Sequence, residues 1–128
     1  MIIIAFAPNT SKKLPRLLCR APRHCAPIIC VSDEHYIMYQ FVRRKYIAQI
    51  SLTPRTIKLL GAHGWIFIKI NRKIPHDFMR RAYYAASCVA LCKIAVNIRA
   101  PYIITPRQMY KKLRTSSAQF NAPNGQTV

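Results

Sequence analysis

CAPIICVSDEHYIMYQFVRRKYIAQI, residues 25–50, is the stretch that decides the fold. Cys25 to Val31 and Tyr36 to Val42 are rich in β-branched and aromatic residues and read as two strands. The polar Ser32-Asp33-Glu34 between them supplies a hairpin loop. Tyr46 to Ile50 alternates apolar and polar residues and reads as a third strand. Three consecutive strands joined by short polar links predict an antiparallel meander. Pro27 lies inside the first of them, and a residue without an N–H suits only an edge strand or a bulge.

Working outward, Ile2 to Ala7 is a short strand stopped by Pro8. Thr10 to Arg20 carries Leu14, Leu17 and Leu18 at helical spacing, with Pro15 allowing a helix only from about that point. Downstream, Ser51-Leu52-Thr53-Pro54 pairs a hydroxyl cap with proline in the first turn, which predicts a helix from Pro54 to Leu60 stopped by Gly61 or Gly64. Trp65 to Ile70 is a strand and Asn71 to His76 a loop. From Arg80 to Val96 runs the longest apolar helical segment, with Tyr84, Cys88, Leu91, Cys92 and Ala95 on one face and Asn97 as a left-handed stop. Tyr102 to Ile104 reads as a short strand, and Thr105-Pro106 opens a last helix, Pro106 to Arg114. The expectation is an α+β fold, a small antiparallel sheet packed against a helix, in a single domain over 1–114. Residues 115–128 are small and polar and read as a C-terminal tail.

Of the 128 residues, 52% are hydrophobic, enough for one core and too many for a disordered chain. Lys and Arg number 21 against three acids, Asp33, Glu34 and Asp77, for a net charge of +18. The basic residues recur at Lys12–Lys13, Arg43–Lys45, Arg80–Arg81 and Lys111–Arg114 rather than in one tail. Such a surface attracts polyanions, whether nucleic acid, acidic lipid or an acidic protein neighbour. Basic and aromatic residues interleave from Tyr39 to Tyr46, as in a stacking platform for single strands. The same alternation also describes any half-buried strand with a cationic outer face. No apolar run approaches the roughly 20 residues of a membrane span. The opening MIIIAFAP lacks a basic region before its apolar run, so no signal peptide is expected. The five cysteines are odd in number, which suits free thiols in a cytoplasmic setting or inside a large assembly such as a virion. Cys19, His24 or Cys25, Cys30 and His35 offer zinc-type ligands, but their C-x5-C-x4-C-x4-H spacing lacks the tight C-x2-C pair of zinc knuckles. Neither metal nor cofactor is expected.

Cys88 stands out in Ser87-Cys88-Val89-Ala90-Leu91-Cys92-Lys93. A cysteine opening a helix meets unpaired backbone N–H groups and the positive end of the helix dipole, and both favour the nucleophilic thiolate. Cys92, one turn later, reads as core. SCVALCKIAVNIRAPYIITPRQMYKKL, residues 87–113, resembles the nucleophile segment of permuted papain-like cysteine hydrolases. These are the NlpC-type superfamily, including the lecithin:retinol acyltransferase relatives. Arg23-His24-Cys25-Ala26-Pro27-Ile28 looks like the strand bearing that family's catalytic histidine, and Tyr36-Ile37-Met38-Tyr39-Gln40 like the next strand, which bears its third polar group. The resemblance covers roughly residues 23–113. Asn97 departs from the family's usual glycine. The resemblance implies a permuted papain-like fold with Cys88 as nucleophile, His24 as base, and Tyr39 or Gln40 as the orienting group. Adjacent strand residues face opposite sides, so only one of the two can point at His24. The implied activity is that of a thiol peptidase, amidase or acyltransferase acting on a peptide, isopeptide or acyl substrate. The alternative is a non-catalytic basic protein of a virion or other assembly, contacting nucleic acid.

Overall fold

The computed structural model describes residues 1–8 and 24–116, with the side chains of 115 and 116 left aside. The predicted helix within Thr10–Arg20 and the tail beyond residue 116 lie outside the described residues. Five strands form one antiparallel sheet: β1 (Ile2–Ala7), β2 (His24–Ser32), β3 (His35–Arg43), β4 (Tyr46–Leu52) and β5 (Ile66–Ile70). Their spatial order is β4-β3-β2-β1-β5. The meander is therefore present, extended beyond β2 by β1 and β5. Four helices accompany the sheet among the described residues: α1 (Pro54–Ala62), α2 (Phe78–Ala82), α3 (Cys88–Val96) and α4 (Pro106–Ser116).

Both faces of the sheet are covered, which explains why β1 reads as an unbroken apolar run rather than an alternating one. Ile2, Ile4 and Phe6 point to the layer built from α2, α3 and α4, where Phe78, Val89, Leu91, Cys92, Met109 and Leu113 are buried. Ile3 and Ala5 point the other way, into a smaller core with Ala26, Ile28, Met38, Phe67 and Ile57 of α1. Burying each such large apolar side chain contributes roughly 1.5–3 kcal/mol. The centre of the sheet is thus fixed by strands whose alternate residues serve two different cores.

Pro27 is not on an edge, as its sequence context suggests, because β2 lies between β1 and β3. It pairs with Ile4 of β1 in a regular register that runs from His24 to Ile29. The pairing of β2 with β3 starts only at Ile28↔Met38, immediately after the proline, and a register shift follows between Cys30 and Ser32. The absent N–H is accommodated where the β2–β3 ladder ends. The first residues of β2, His24 among them, are left held by β1 on one side and without ladder pairing to β3 on the other.

The apolar segment predicted as one helix from Arg80 to Val96 is two helices. Ser87, extended at φ −162° and ψ 169°, caps the second, its hydroxyl accepting the Ala90 N–H at 3.0 Å. A capped start at Ser87 satisfies an otherwise orphaned N–H and breaks the chain away from α2. Asn97 ends α3 in the left-handed conformation, φ 56° and ψ 50°, as expected. Tyr102–Ile104 is not a strand. No strand among the described residues pairs with it, and the Lys93 ammonium donates to the Ala100 and Ile103 carbonyls at 3.2 and 2.9 Å, holding this loop onto α3. The Thr53 hydroxyl caps α1 on the Thr56 N–H at 3.3 Å.

Candidate active site

The site is built at one end of the sheet from three pieces of chain. β2 contributes His24 and Cys25, β3 contributes Gln40, and α3 contributes Cys88 at its first position. The short polar break before α3 matters here. Had the helix run on from α2, Cys88 would lie mid-helix, its N–H engaged; the Ser87 cap instead leaves it in the first turn, where backbone N–H groups have no intrahelical partner.

His24 Nε2 lies 2.6 Å from Gln40 Oε1, and since a glutamine carbonyl only accepts, Nε2–H is the donor. This contact bridges β2 and β3 at the point where their backbone ladder has stopped. The register set by Ile28↔Met38, continued two residues along both strands, brings Ala26 opposite Gln40. His24 shares its face with Ala26, so it falls diagonal to Gln40 on the same face. With Nε2 engaged, Nδ1 is the nitrogen available to Cys88. Hydrogen bonding to Cys88 raises the His24 pKa above its ordinary 6.5; burial opposes this, and the bond to Gln40 adds to it.

The Cys88 thiol moves the other way, down to about 4. A hydrogen bond from the Cys25 thiol is the largest cause; partial burial works against it, and the His24 hydrogen bond and charge and the Cys25 backbone N–H work for it. The two shifts reinforce each other, each favouring the charged partner of a thiolate–imidazolium pair. Neither partner is fully covered: Cys88 is half-buried, as is His24. A buried Cys25 completes the cluster, its thiol hydrogen-bonded to both Cys88 and Cys92 and held well above the usual thiol range by those two neighbours and by burial.

Of the residues expected from the sequence, the structure brings Cys88, His24 and Gln40 together. Tyr39 does not join them. It faces the opposite side of β3, its ring packed edge-on against Phe78 with centroids 5.2 Å apart, and only 8% of it is exposed. Strand alternation forces this choice: Ile37, Tyr39 and Phe41 all belong to the helix-side core, while Gln40 points away from it. Cys92 is fully buried core. Cys25 was missed by sequence reasoning as part of the site, although its place beside His24 on a strand under a cysteine-bearing helix was a usable signal. Among the described residues no group of three or more His, Cys, Asp or Glu side chains is arranged to hold a metal, and Cys19 of the zinc alternative lies outside them. No described helix is long and apolar enough to cross a membrane.

The acids are too few to neutralise the surface. Asp77 pairs with Arg80 at 3.5 Å and Arg81 at 4.0 Å, exposed contacts of small energetic value. Arg43 lies over the Tyr46 ring at 4.2 Å and Lys45 over Tyr83 at 5.8 Å, so part of the basic and aromatic interleaving is spent on local cation–π contacts. No family model, curated protein or solved structure matches this chain.

Proposed function

We propose that the protein is a cysteine hydrolase or acyltransferase of permuted papain-like design, with Cys88 as nucleophile, His24 as acid and base, and Gln40 orienting the imidazole. The observation that carries the reading is the continuous chain from Cys88 through His24 to Gln40, in which the last link is a 2.6 Å hydrogen bond. A depressed thiol at the start of a helix paired with an elevated imidazole at the start of a strand, both half-exposed, is the constellation that acyl-transfer chemistry requires.

In this reading the Cys88 thiolate attacks the carbonyl carbon of an amide or ester. The carbonyl π electrons move to oxygen, and N–H groups of the first turn of α3 face the developing charge. Collapse expels the leaving amine or alkoxide, which takes the proton of the His24 imidazolium. The thioester remains on Cys88. Neutral His24 then deprotonates a water or an acceptor hydroxyl, which releases the acyl group and restores the ion pair. Gln40 holds one ring orientation throughout, as a neutral acceptor that serves imidazole and imidazolium alike.

The test is turnover of a panel of small peptide, isopeptide and acyl-ester substrates by the wild-type chain and by Cys88→Ala. Cleavage of any member, with a covalent acyl adduct of matching mass on Cys88, is the expected result. A panel turned over equally by Cys88→Ala overturns the assignment, as does an acyl adduct on a different cysteine.

A further inference from the structure

The catalytic reading leaves one nucleophilic group unused. Cys25 is completely buried, sits next to His24 in the chain, and lies between β2 and α3 in the same core cluster as Cys92, with Cys88 packed against it. Its thiol hydrogen-bonds to Cys88. A structural cysteine in a packed core is ordinarily surrounded by hydrocarbon. Here a second sulfur neighbours the reactive one, held by the strand that also carries the histidine. The described cysteines are all unpaired, so both sulfurs are reduced.

We propose that Cys25 is the resolving thiol for Cys88, so that a hydroperoxide converts the pair into a Cys25–Cys88 disulfide that switches the nucleophile off reversibly. The proposal rests on the reading of Cys88 as a half-exposed, ionised thiol, and not on any particular hydrolytic substrate. In the first step the Cys88 thiolate attacks one oxygen of the hydroperoxide, an S–O bond forms and the O–O bond breaks. The departing hydroxide or alkoxide takes the His24 imidazolium proton and leaves as water or alcohol. Cys88 is then a sulfenic acid and His24 neutral. In the second step the Cys25 sulfur attacks the Cys88 sulfur, the S–O bond breaks, and the departing hydroxide takes the Cys25 proton and leaves as water. The two cysteines lose two electrons, and the hydroperoxide gains them.

The placement suits this order of events. Cys88 is half-exposed and Cys25 is not, so a soluble oxidant meets only the first sulfur. Part of what keeps Cys25 protonated is the charge of its neighbours, Cys88 among them. Oxidation to the neutral sulfenic acid removes the Cys88 charge, one of the influences that hold Cys25 protonated. Because α3 packs on β2, closing the bond asks for side-chain rotation and an approach of α3 to β2 to disulfide geometry.

The experiment treats the full chain with hydrogen peroxide, maps its peptides without reduction, and in parallel follows iodoacetamide labelling of Cys88 at pH 5. The expected product is about 2 Da lighter, carries a Cys25–Cys88 linked peptide, and regains Cys88 labelling on addition of dithiothreitol. In Cys25→Ala the same treatment gives no linkage, and Cys88 gains about 32 or 48 Da and does not recover. Cys88 that labels at pH 5 but over-oxidises irreversibly in the wild-type chain overturns the resolving role alone. The same holds for a linkage to Cys92 in place of Cys25. Cys88 inert to both reagents overturns the ionised-thiol reading and this inference together. The wild-type map decides the matter even where Cys25→Ala fails to fold.

Discussion

Alkylation of Cys88 at pH 5 is the sharpest consequence of the site. With a pKa of about 4, roughly nine-tenths of Cys88 is thiolate at that pH. A thiol at the ordinary 9.0 is about one part in ten thousand ionised there, so the thiolate population favours Cys88 by close to four powers of ten. A less basic thiolate is also a weaker nucleophile. A Brønsted coefficient of about 0.4–0.5 across that pKa difference costs on the order of 100- to 300-fold. The net advantage is on the order of 30- to 90-fold over an unperturbed cysteine. Iodoacetamide at pH 5, quenched over time and read by peptide mass spectrometry, measures it directly. The same chain unfolded in denaturant supplies the unperturbed reference, with all of its cysteines exposed. Folded Cys88 labelling no faster than unfolded Cys88 at pH 5 refutes the argument, because it removes the ion pair on which every later step depends.

The remaining predictions bear on parts of the same arrangement. Catalysis should follow a bell-shaped pH profile, rising through the depressed Cys88 pKa near 4 and falling where His24 loses its proton, above 6.5 because its pKa is raised; a profile with its alkaline limb below 6.5 contradicts the pairing. Gln40→Leu removes the acceptor from His24 Nε2, and losing a hydrogen bond to a charged group of about 1.5–3 kcal/mol lowers kcat/KM roughly 10- to 150-fold and lowers the His24 pKa, measured from the alkaline limb. Tyr39→Phe, which keeps the ring against Phe78, should leave that limb where it is. Ser87→Ala deletes the α3 cap and costs about 1 kcal/mol of stability by urea denaturation, and Cys88 labelling at pH 5 should slow with it.

Much of the architecture was legible in the residues. β1 to β4 follow from β-branched and aromatic runs separated by polar turns, and α1 from its Thr-Pro start, because these are local preferences written within a few residues of where they act. The break between α2 and α3 is not legible in the pattern, since the apolar spacing across Arg80–Val96 continues unbroken through it. The competing signal, a serine able to cap, is satisfied only once Ala90 turns back toward it. Tyr102–Ile104 has strand composition but pairs with no strand among the described residues, and the Lys93 ammonium takes the Ala100 and Ile103 carbonyls instead. A strand is a pairing, and composition alone cannot supply the partner.

For the site, the sequence by itself determined the cast: a cysteine poised to open a helix, a histidine opening a strand, and two adjacent polar candidates on the strand after it. Only the tertiary structure decided among them, and it did so through geometry that is not local. Sheet alternation turned Tyr39 into the core and Gln40 toward the imidazole. The proline in β2 ended one ladder where that imidazole needed room, and the packing of α3 on β2 set a second sulfur against the first. Side-chain chemistry is a property of each residue, but a shifted pKa is a property of distances, and those exist only after the sheet and the helix have met.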